Sequence, residues 1–314
     1  MEKYVVTGGA GFIGSHIVEE LAQKKHRVIA FDNLHTGFKR NIEPLIKEYN
    51  VEFVEGSIMD QALLLKTLKG AESAFHTAAL ISVPESMEKQ AEYVGVNTIG
   101  TLNVLKACRE CGVKNIVLSS SAAIYGDNPV IPKKEDMLPE PKSPYAVTKL
   151  DGEYYFRMYR NEYGLNATSL RYFNVFGPRQ DPASQYAAAV PIFIERACRN
   201  ENISIFGNGE QTRDFIFVKD VVQANIKAAE KGGDVYNAAY GGKITINDLA
   251  KNIIKLTGSR SKIIYKPERP GDIKHSMADN SKITRELGFS PTSSLDDGLL
   301  ETVRFFKDKI TSDK

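Results

Sequence analysis

The chain has 314 residues, of which 42% are hydrophobic and 25% are charged. These fractions are close to those of soluble globular proteins and argue against a disordered, fibrous or membrane-embedded class. The 41 basic and 39 acidic residues leave a net charge of +2, which argues against a nucleic-acid-binding surface. Three cysteines are too few for a disulfide framework, and no apolar run is long enough to span a membrane, so the sequence predicts a cytoplasmic protein.

The first half of the chain alternates short β-branched runs with longer helical patterns. Strands are predicted at 5–6, 28–31, 51–54, 74–76, 115–118 and 167–170, and helices at 13–24, 94–111 and 144–163. This alternation is typical of a parallel sheet with helices on both faces. After residue 171, prolines and glycines interrupt the pattern and the segments become shorter, which indicates a smaller second domain.

A glycine-rich loop follows the first predicted strand and opens the first predicted helix. Gly9, Gly11 and Gly14 match G-x-G-x-x-G, the pattern that lets a backbone turn tightly and approach a pyrophosphate. The N terminus of the helix adds unpaired N–H groups for the phosphates. Asp32 ends the second predicted strand, where its carboxylate accepts hydrogen bonds from the adenosine ribose and repels a 2′-phosphate. These features predict a dinucleotide site that prefers NAD to NADP.

A tyrosine and a lysine share one face of the helix predicted at 144–163. Tyr145 and Lys149 stand four residues apart, which places them one above the other on that face. Because a free tyrosine has a pKa of about 10, Tyr145 needs the Lys149 cation, the helix N terminus and an oxidised nicotinamide to act as a base near pH 7. Ser121 lies just beyond the fifth predicted strand and can share a proton with a substrate hydroxyl. Ser121, Tyr145 and Lys149 are therefore the predicted catalytic residues.

These motifs resemble the extended short-chain dehydrogenase/reductase family and, within it, the UDP-N-acetylglucosamine 4-epimerases. The resemblance covers nearly the whole chain and is carried by TGGAGFIGSH (7–16), FDNL (31–34), HTAAL (76–80), SSSAAIYG (119–126), SPYAVTK (143–149), RYFNVFGPRQDP (171–182), RDF (213–215) and RPGD (269–272). It implies NAD as the cofactor, a UDP-sugar as the substrate, no metal ion, and a homodimer formed through helices at 97–112 and 150–163.

The resemblance also implies an α/β fold with two domains. A Rossmann-type doubly wound parallel sheet that binds NAD is expected at 1–172, with a return segment at about 213–240. A smaller α/β domain that binds the UDP-sugar is expected to consist of 173–212 and 241–314.

The residues that form the NAD site follow from the same resemblance. They are Gly8, Gly11, Phe12, Ile13, Gly14, Asp32, Asn33, Leu34, Thr36, Gly37, Ser57, Ile58, Thr77, Ala78, Ala79, Leu80, Asn97, Ser119, Tyr145, Lys149 and Phe173. Two positions depart from the family pattern. Ser57 replaces an aspartate that often contacts the adenine amino group, and Ile81 replaces a lysine found near the nicotinamide in some sugar epimerases.

A second set of residues is expected to bind the UDP-sugar. They are Ser82, Ser121, Tyr145, Asn174, Ala189, Val190, Ser204, Phe206, Arg213, Arg269, Asp272 and Ser276. Arg213 and Arg269 resemble the residues that hold the diphosphate, since guanidinium groups suit paired phosphate oxygens. Asp272 is placed to accept from the ribose, and Val190 and Phe206 to pack around the uracil. An interdomain salt bridge is the alternative interpretation of the two arginines.

The reaction is predicted from three further positions. Relatives that eliminate water carry an Asp–Glu pair where Ala122 and Ala123 stand, and decarboxylating relatives carry a glutamate at the second of these positions. Because alanine cannot handle a proton, the resemblance implies 4-epimerisation through a transient 4-keto sugar. Ser276 occupies a position where a small residue admits an N-acetyl group and a tyrosine does not. The prediction is therefore interconversion of UDP-GlcNAc and UDP-GalNAc, with UDP-Glc and UDP-Gal as further candidate substrates.

Other functions remain open from the sequence. The main alternatives are a UDP-glucose 4-epimerase and a UDP-glucuronate 4-epimerase. A net NAD-dependent dehydrogenase is less favoured. A non-catalytic sensor of NAD(P) is also less favoured, because such a protein has no need of Tyr145, Lys149 and the arginines together.

Overall fold

The structure, a computed structural model, describes residues 2–182, 188–268 and 274–312. Its strands in chain order are β1 Lys3–Thr7, β2 Arg27–Asp32, β3 Val51–Glu55, β4 Ser73–His76, β5 Asn115–Ser121, β6 Asn166–Tyr172, β7 Val175–Phe176, β8 Ile203–Phe206, β9 Thr212–Arg213, β10 Ile216–Phe217, β11 Val235–Ala238, β12 Ile244–Thr245 and β13 Ile263–Lys266. The six strands that the sequence predicts coincide with β1 to β6.

The helices alternate with these strands. They are α1 Phe12–Gln23, α2 Glu43–Glu48, α3 Gln61–Leu68, α4 Val83–Glu88, α5 Gln90–Tyr93, α6 Gly100–Glu110, α7 Pro144–Tyr163, α8 Ala189–Cys198, α9 Val218–Lys231, α10 Ile246–Thr257, α11 Ser281–Leu287 and α12 Leu295–Ser312. One turn of π-helix, Val94–Ile99, joins α5 to α6, and short 3₁₀ turns occur at Lys39–Asn41 and Ala122–Tyr125. The predicted helix 94–111 is thus a π-helical turn followed by α6.

Seven parallel strands form the central sheet in the order β3-β2-β1-β4-β5-β6-β11. Apolar residues of α1, α2, α9 and α11 cover one face, and those of α3, α6 and α7 cover the other. The chain order reverses at β1, which pairs with both β2 and β4. A ligand crevice is expected at this reversal, beyond the carboxyl ends of the strands. The predicted doubly wound, Rossmann-type sheet is confirmed.

Helix α7 carries the predicted catalytic pair, and local signals define both of its ends. Ser143 caps its N terminus by accepting a hydrogen bond from the Ala146 N–H at 3.2 Å, and Pro144 occupies its first turn. Gly164 ends the helix in a left-handed conformation with φ of 69°, which glycine adopts without steric cost. These two signals place Tyr145 in the first turn, beside the end of β5.

A second core lies beside the sheet and is formed by α8, α10 and α12 together with β8 and β10. Three two-stranded sheets, β7 with β10, β8 with β13 and β9 with β12, complete this part of the chain. The proposed return segment 213–240 contains α9 and β11, which pack on and join the large sheet. The segment 281–289 also packs on that sheet, through Ile283, Leu287 and Phe289, although the sequence assigned it to the second domain. The division into domains stays a prediction.

Neighbouring phenylalanines on α12 allow a test of the second core. Phe306 is 1% exposed, whereas Phe305 is only partly buried at the edge of that core. We expect Phe306→Ala to lower the free energy of unfolding by about 3–5 kcal/mol, because it leaves a cavity, and Phe305→Ala to lower it clearly less. Urea unfolding of both variants measures this difference, and equal losses would contradict the placement of α12.

Candidate active site

The glycine loop forms a tight turn between β1 and α1. Gly8 has φ of 72°, and its carbonyl accepts a hydrogen bond from the Gly11 N–H at 3.0 Å. A Cβ atom added at Gly14 would lie only 2.0 Å from the Gly8 oxygen, so no side chain fits there. Among the described residues, no side chain caps α1 at Gly11 and no acid stands in its first turn. The positive end of this helix therefore suits a pyrophosphate.

Asp32 lies beside this loop at the end of β2. Its carboxylate accepts hydrogen bonds from the N–H groups of Ala10 at 3.0 Å and Leu34 at 2.7 Å. Burial raises the pKa of Asp32, and these backbone donors oppose that rise. A Cβ atom at Gly37 would lie 2.9 Å from either carboxylate oxygen, so the glycine leaves the carboxylate uncovered on that side. The arrangement fits a ribose with free 2′- and 3′-hydroxyls.

A cavity of about 310 Å³ extends from the glycine loop to the start of α7. Most of the predicted cofactor residues line it, namely Gly8, Gly11, Phe12, Ile13, Gly14, Asp32, Asn33, Thr36, Ser57, Ile58, Thr77, Ala78, Ala79, Leu80, Ser119, Tyr145 and Lys149. The residues present thus fit a dinucleotide, with an uncapped helix and a ribose acceptor at one end and Tyr145 at the other.

Four predicted cofactor residues do not line this cavity. Asn97 is buried and clamps the 77–80 segment, since its side chain donates to the Leu80 oxygen at 2.9 Å and accepts from the Leu80 N–H at 2.8 Å. Leu34 and Gly37 contact Asp32, as described above. Phe173 is 1% exposed and packs with Tyr125, away from the cavity. These positions shape the site from behind, and contact with the cofactor stays a prediction for each of them.

The structure also adds lining residues that the sequence analysis missed. They are Phe31, His35, Gly56, Glu92, Val96, Ser120 and Tyr172, and Ile81, already named as a departure from the family near the nicotinamide, lines the cavity as well. Tyr172 is the most informative of them, because its hydroxyl accepts from Ser119 at 3.1 Å and donates to Asn225 at 2.9 Å. Tyr172 stands opposite Ser121 in the β5–β6 pairing. Only the register of those two strands reveals this contact.

Tyr145 and Lys149 line the end of this cavity, and Ser121 lies next to Tyr145 without lining the cavity itself. The Lys149 ammonium donates to the Ser119 carbonyl at 2.8 Å and lies 5.8 Å from the centre of the Tyr145 ring. Burial lowers the pKa of Lys149 to about 8. Burial raises the pKa of Tyr145, and a hydrogen bond with Ser121 lowers it. Ser121 is therefore one group that favours the tyrosinate, and the Lys149 ammonium lies close enough to add a second favourable charge.

A buried ion pair holds α7 against the sheet. Arg171 on β6 donates to both carboxylate oxygens of Glu153 on α7, with the shorter contact at 2.8 Å. Glu153 also accepts from the hydroxyl of Ser120, a residue that lines the cavity, at 2.6 Å. Arg171 and Glu153 are both almost fully buried. Because Glu153 lies one turn beyond Lys149, this network sets the position of the catalytic face of the helix.

A neutral histidine fastens the carboxyl ends of β1 and β4. The two ring nitrogens of His76 are hydrogen-bonded to the hydroxyls of Thr7 at 2.7 Å and Thr101 at 2.9 Å. Burial and, to a smaller extent, the nearby Lys149 cation lower the pKa of His76 to about 3, so the ring is uncharged at neutral pH. His76 therefore holds the floor of the crevice in place without adding a second positive charge beside Lys149.

The predicted substrate residues lie around the entrance to the site and in the second core. Ser82 caps α4 by accepting from the Glu85 N–H at 3.2 Å. The side-chain amide of Asn174 donates to the Asp214 carbonyl at 2.9 Å. Ser276 is hydrogen-bonded through its N–H to the Thr212 carbonyl at 3.1 Å, which places it beside Arg213 on β9.

The predicted uracil pocket lies further along the second core. Phe206, at the end of β8, lines a cavity of about 350 Å³ with His275. Ser204 stands on the same strand, and Ala189 opens α8. The next residue, Val190, is fully buried within the second core, so its side chain does not reach the surface. Arg269 and Asp272 lie outside the described residues.

The described part of the chain contains neither a cluster of metal ligands nor a helix that could span a membrane. No group of three or more histidine, cysteine, aspartate or glutamate side chains is arranged to hold a metal ion there. No helix within residues 2–182, 188–268 and 274–312 is long and apolar enough to cross a membrane.

Comparison with known proteins assigns the family. The profile of the NAD dependent epimerase/dehydratase family matches residues 4–239. The chain belongs to this family. A solved structure of UDP-N-acetylglucosamine 4-epimerase from Methanobrevibacter ruminantium, in complex with UDP-N-acetylmuramic acid, is 42% identical with a TM-score of 0.94, covering 98% of this chain and 99% of that one.

Two further relatives are similar over nearly their whole length. UDP-glucose 4-epimerase from Thermotoga maritima, solved with UDP-glucose, is 42% identical with a TM-score of 0.93, covering 98% of this chain and 99% of that one. UDP-glucose 4-epimerase of Mycolicibacterium smegmatis is 38% identical over 97% of this chain and 98% of the relative. The predicted family, NAD as cofactor, and an isomerase of the nucleotide-sugar 4-epimerase class are confirmed.

The buried lysine predicts a pH-dependent change in stability. The folded pKa of Lys149 is about 8, below the ordinary 10.5, so the unfolded chain binds more protons between these values and stability rises with pH there. Relative to Lys149→Met, the cofactor-free wild type should gain about 2 kcal/mol of unfolding free energy between pH 7 and about pH 9.5.

Urea unfolding of the wild type and the Lys149→Met variant at both pH values measures this gain. Lys142→Met is the matched control. Lys142 is exposed and directly precedes Ser143, the N-cap of α7, so its replacement should not produce this pH dependence. A wild-type advantage that stays constant between the two pH values would contradict the buried position of the ammonium group.

Proposed function

We propose that this chain interconverts UDP-GlcNAc and UDP-GalNAc at C4 of the sugar. The observation that carries the proposal is the placement of Tyr145 beside Ser121 and the buried Lys149, at the inner end of a cavity suited to NAD. A tyrosine hydroxyl at this point can remove the proton from the sugar O4 and later return it. Similarity to 4-epimerases over the whole chain supports the same reaction.

In the proposed mechanism, Tyr145 acts as the base and Ser121 relays or shares the proton of the sugar hydroxyl. The chemistry that bound NAD supplies is the acceptance and return of a hydride at C4. Lys149, held by the Ser119 carbonyl, stabilises the tyrosinate electrostatically. Epimerisation then requires that the 4-keto sugar turn in the site while the UDP group stays bound. Asn174 and Arg213 are the residues proposed to hold the UDP group.

The residues after Ser121 favour epimerisation over elimination. Ser121 ends β5, and its hydroxyl accepts from the Ala123 N–H at 3.1 Å, so Ala122 and Ala123 follow directly on the catalytic serine. Removal of water or carbon dioxide needs an acid or base at this point, and a methyl group provides neither. The keto sugar is therefore reduced again rather than diverted.

The N-acetyl preference rests on Ser276. A serine leaves room beside Arg213 where a tyrosine ring would fill the space next to the sugar C2 substituent. UDP-glucose and UDP-galactose are a second candidate pair, favoured by the equal 42% identity to the epimerase solved with UDP-glucose. A smaller substituent fits the same space with fewer contacts.

We also propose that the protein is a cytoplasmic homodimer. Val94, Ile99, Val147, Tyr154 and Met158 are each at least 40% exposed, and the last three recur along α7 at intervals of seven and four residues. Such spacing places them on one stripe of the helix, as at a helix-packing interface. Light scattering during gel filtration measures the mass of the assembly.

Replacing the proposed base gives the most direct test of the reaction. Tyr145→Phe should lower kcat for UDP-GlcNAc by about 10²–10⁴-fold, the usual contribution of a general acid–base group, while NAD and UDP remain bound. Tyr159→Phe, a buried tyrosine on the same helix away from the cavity, should leave kcat unchanged. Anion-exchange analysis of the two UDP-sugars measures turnover. Unaltered activity of Tyr145→Phe would remove Tyr145 from the mechanism.

The residue at 276 tests the choice of sugar. Ser276→Tyr should reduce kcat/KM for UDP-GlcNAc at least about tenfold more than for UDP-Glc, because the added ring occupies the space of the N-acetyl group. Ser276→Ala, which keeps that space, should leave the ratio of the two substrates unchanged. If the wild type converts only the plain hexoses, the proposed N-acetyl specificity is wrong.

A further inference from the structure

A carboxylate in the second core is completely buried and yet has no catalytic role in the mechanism above. Asp214, between β9 and β10, is 0% exposed. Its oxygens accept hydrogen bonds from the backbone N–H groups of Tyr240 at 3.0 Å, Gly241 at 3.1 Å and Ala278 at 3.1 Å. Burial raises the pKa of Asp214 to about 6, and the three backbone donors oppose this rise. The group is therefore ionised at pH 7–8.

These bonds join three separate segments of the chain. Tyr240 and Gly241 follow the edge strand β11, whereas Ala278 lies in the segment 274–278. The Asp214 backbone carbonyl adds a fourth bond, from the side chain of Asn174 at 2.9 Å. One buried residue thus connects the turn between β6 and β7, the residues after β11 and the segment that contains Ser276.

Three proposed substrate residues are linked to Asp214, either through the chain itself or through hydrogen bonds. Arg213 precedes it directly, and Asn174 donates to its carbonyl. Ser276 is two residues before Ala278, and its segment also pairs with Thr212 on β9 through bonds of 2.9 and 3.1 Å. An asparagine at position 214 would keep one acceptor oxygen but turn an NH2 donor toward at least one of the 240, 241 and 278 amides, which have no other acceptor among the described residues.

We propose that Asp214 is a positioning residue for the UDP-sugar, holding Arg213, Asn174 and Ser276 in one arrangement. The proposal rests on the proposed function, since it assumes that these three residues bind the substrate. Asp214 does not touch the substrate itself. It acts by anchoring the three segments to a single charge, and charge-assisted hydrogen bonds are stronger and better aligned than neutral ones.

A second buried aspartate provides a matched control. Asp220, in the first turn of α9, is 2% exposed and accepts from the Thr292 N–H at 2.9 Å, the Thr292 hydroxyl at 3.0 Å and the Ser293 N–H at 3.3 Å. It also anchors a distant segment by backbone donors. None of its partners is a proposed substrate residue, so Asp220 reports what the loss of a buried carboxylate does to the fold alone.

The test compares Asp214→Asn with Asp220→Asn in the NAD-bound protein at pH 8. For Asp214→Asn we expect the Kd for UDP, from calorimetric titration, and the KM for UDP-GlcNAc to rise at least about tenfold, with kcat within about threefold of wild type. The NAD content released on denaturation should stay unchanged. Asp220→Asn should lower the Tm comparably and leave the Kd and KM unchanged.

Equal effects of the two variants on UDP binding, or no effect of either, would overturn the role of Asp214. If the wild type binds UDP but turns over neither UDP-GlcNAc nor UDP-Glc, the proposed function fails while the UDP titrations still test Asp214.

Hydrogen exchange of the wild-type holoenzyme covers the case in which Asp214→Asn does not fold. Added UDP should slow exchange of the Tyr240 and Gly241 amides and leave the Thr292 and Ser293 amides unchanged. Unaltered exchange at Tyr240 and Gly241 on saturation with UDP would overturn the proposal.

Discussion

The parallel pairing of β1 with both β2 and β4 is the constraint on which the site depends. Because the chain order reverses at β1, the loops that follow β1, β2 and β4 meet at one edge of the sheet. Gly8, Asp32 and the 77–80 segment come from these three loops. The next strand outward, β5, brings Ser121 to the same edge, where it meets Tyr145 at the start of α7. The crevice is thus a consequence of strand order, and the side chains only adapt it to a dinucleotide.

Buried polar groups fix the geometry of this crevice and of the adjoining second core at a cost in stability. Lys149, His76, Asp214 and the Arg171–Glu153 pair are all removed from water, and each is hydrogen-bonded in the structure. Burial of polar groups stabilises a fold little, yet paired groups tolerate few alternative arrangements. The chain therefore uses its apolar cores for stability and its buried polar groups for position.

Local spacing made half of the site predictable from the sequence. The glycine loop, Asp32 and the Tyr145–Lys149 pair each lie within one turn or helix, where sequence separation determines distance. The hydrogen-bond partners of Ser119, Arg171 and Asp214 depend on strand register and lie up to 64 residues away in the chain. Side-chain direction cannot be read from spacing either: Phe173 and Val190 are adjacent to site residues in sequence, but their side chains pack into cores, and their contact with a ligand stays a prediction. Glu153 stands four residues beyond Lys149, so the sequence alone could have placed it on the same face of the helix as the catalytic pair.

The Arg171–Glu153 pair has a consequence for how such sequences diverge. Losing either partner alone leaves a buried charge without its counter-charge, at a cost of about 3–5 kcal/mol, whereas an apolar pair of similar volume is often tolerated. A marginally stable chain does not survive the single-substitution intermediate easily. Positions 153 and 171 are therefore expected to change together during descent or not at all, although 17 residues separate them in the chain. Such covariation would mark the attachment of the catalytic helix to the sheet even in relatives whose sugars differ.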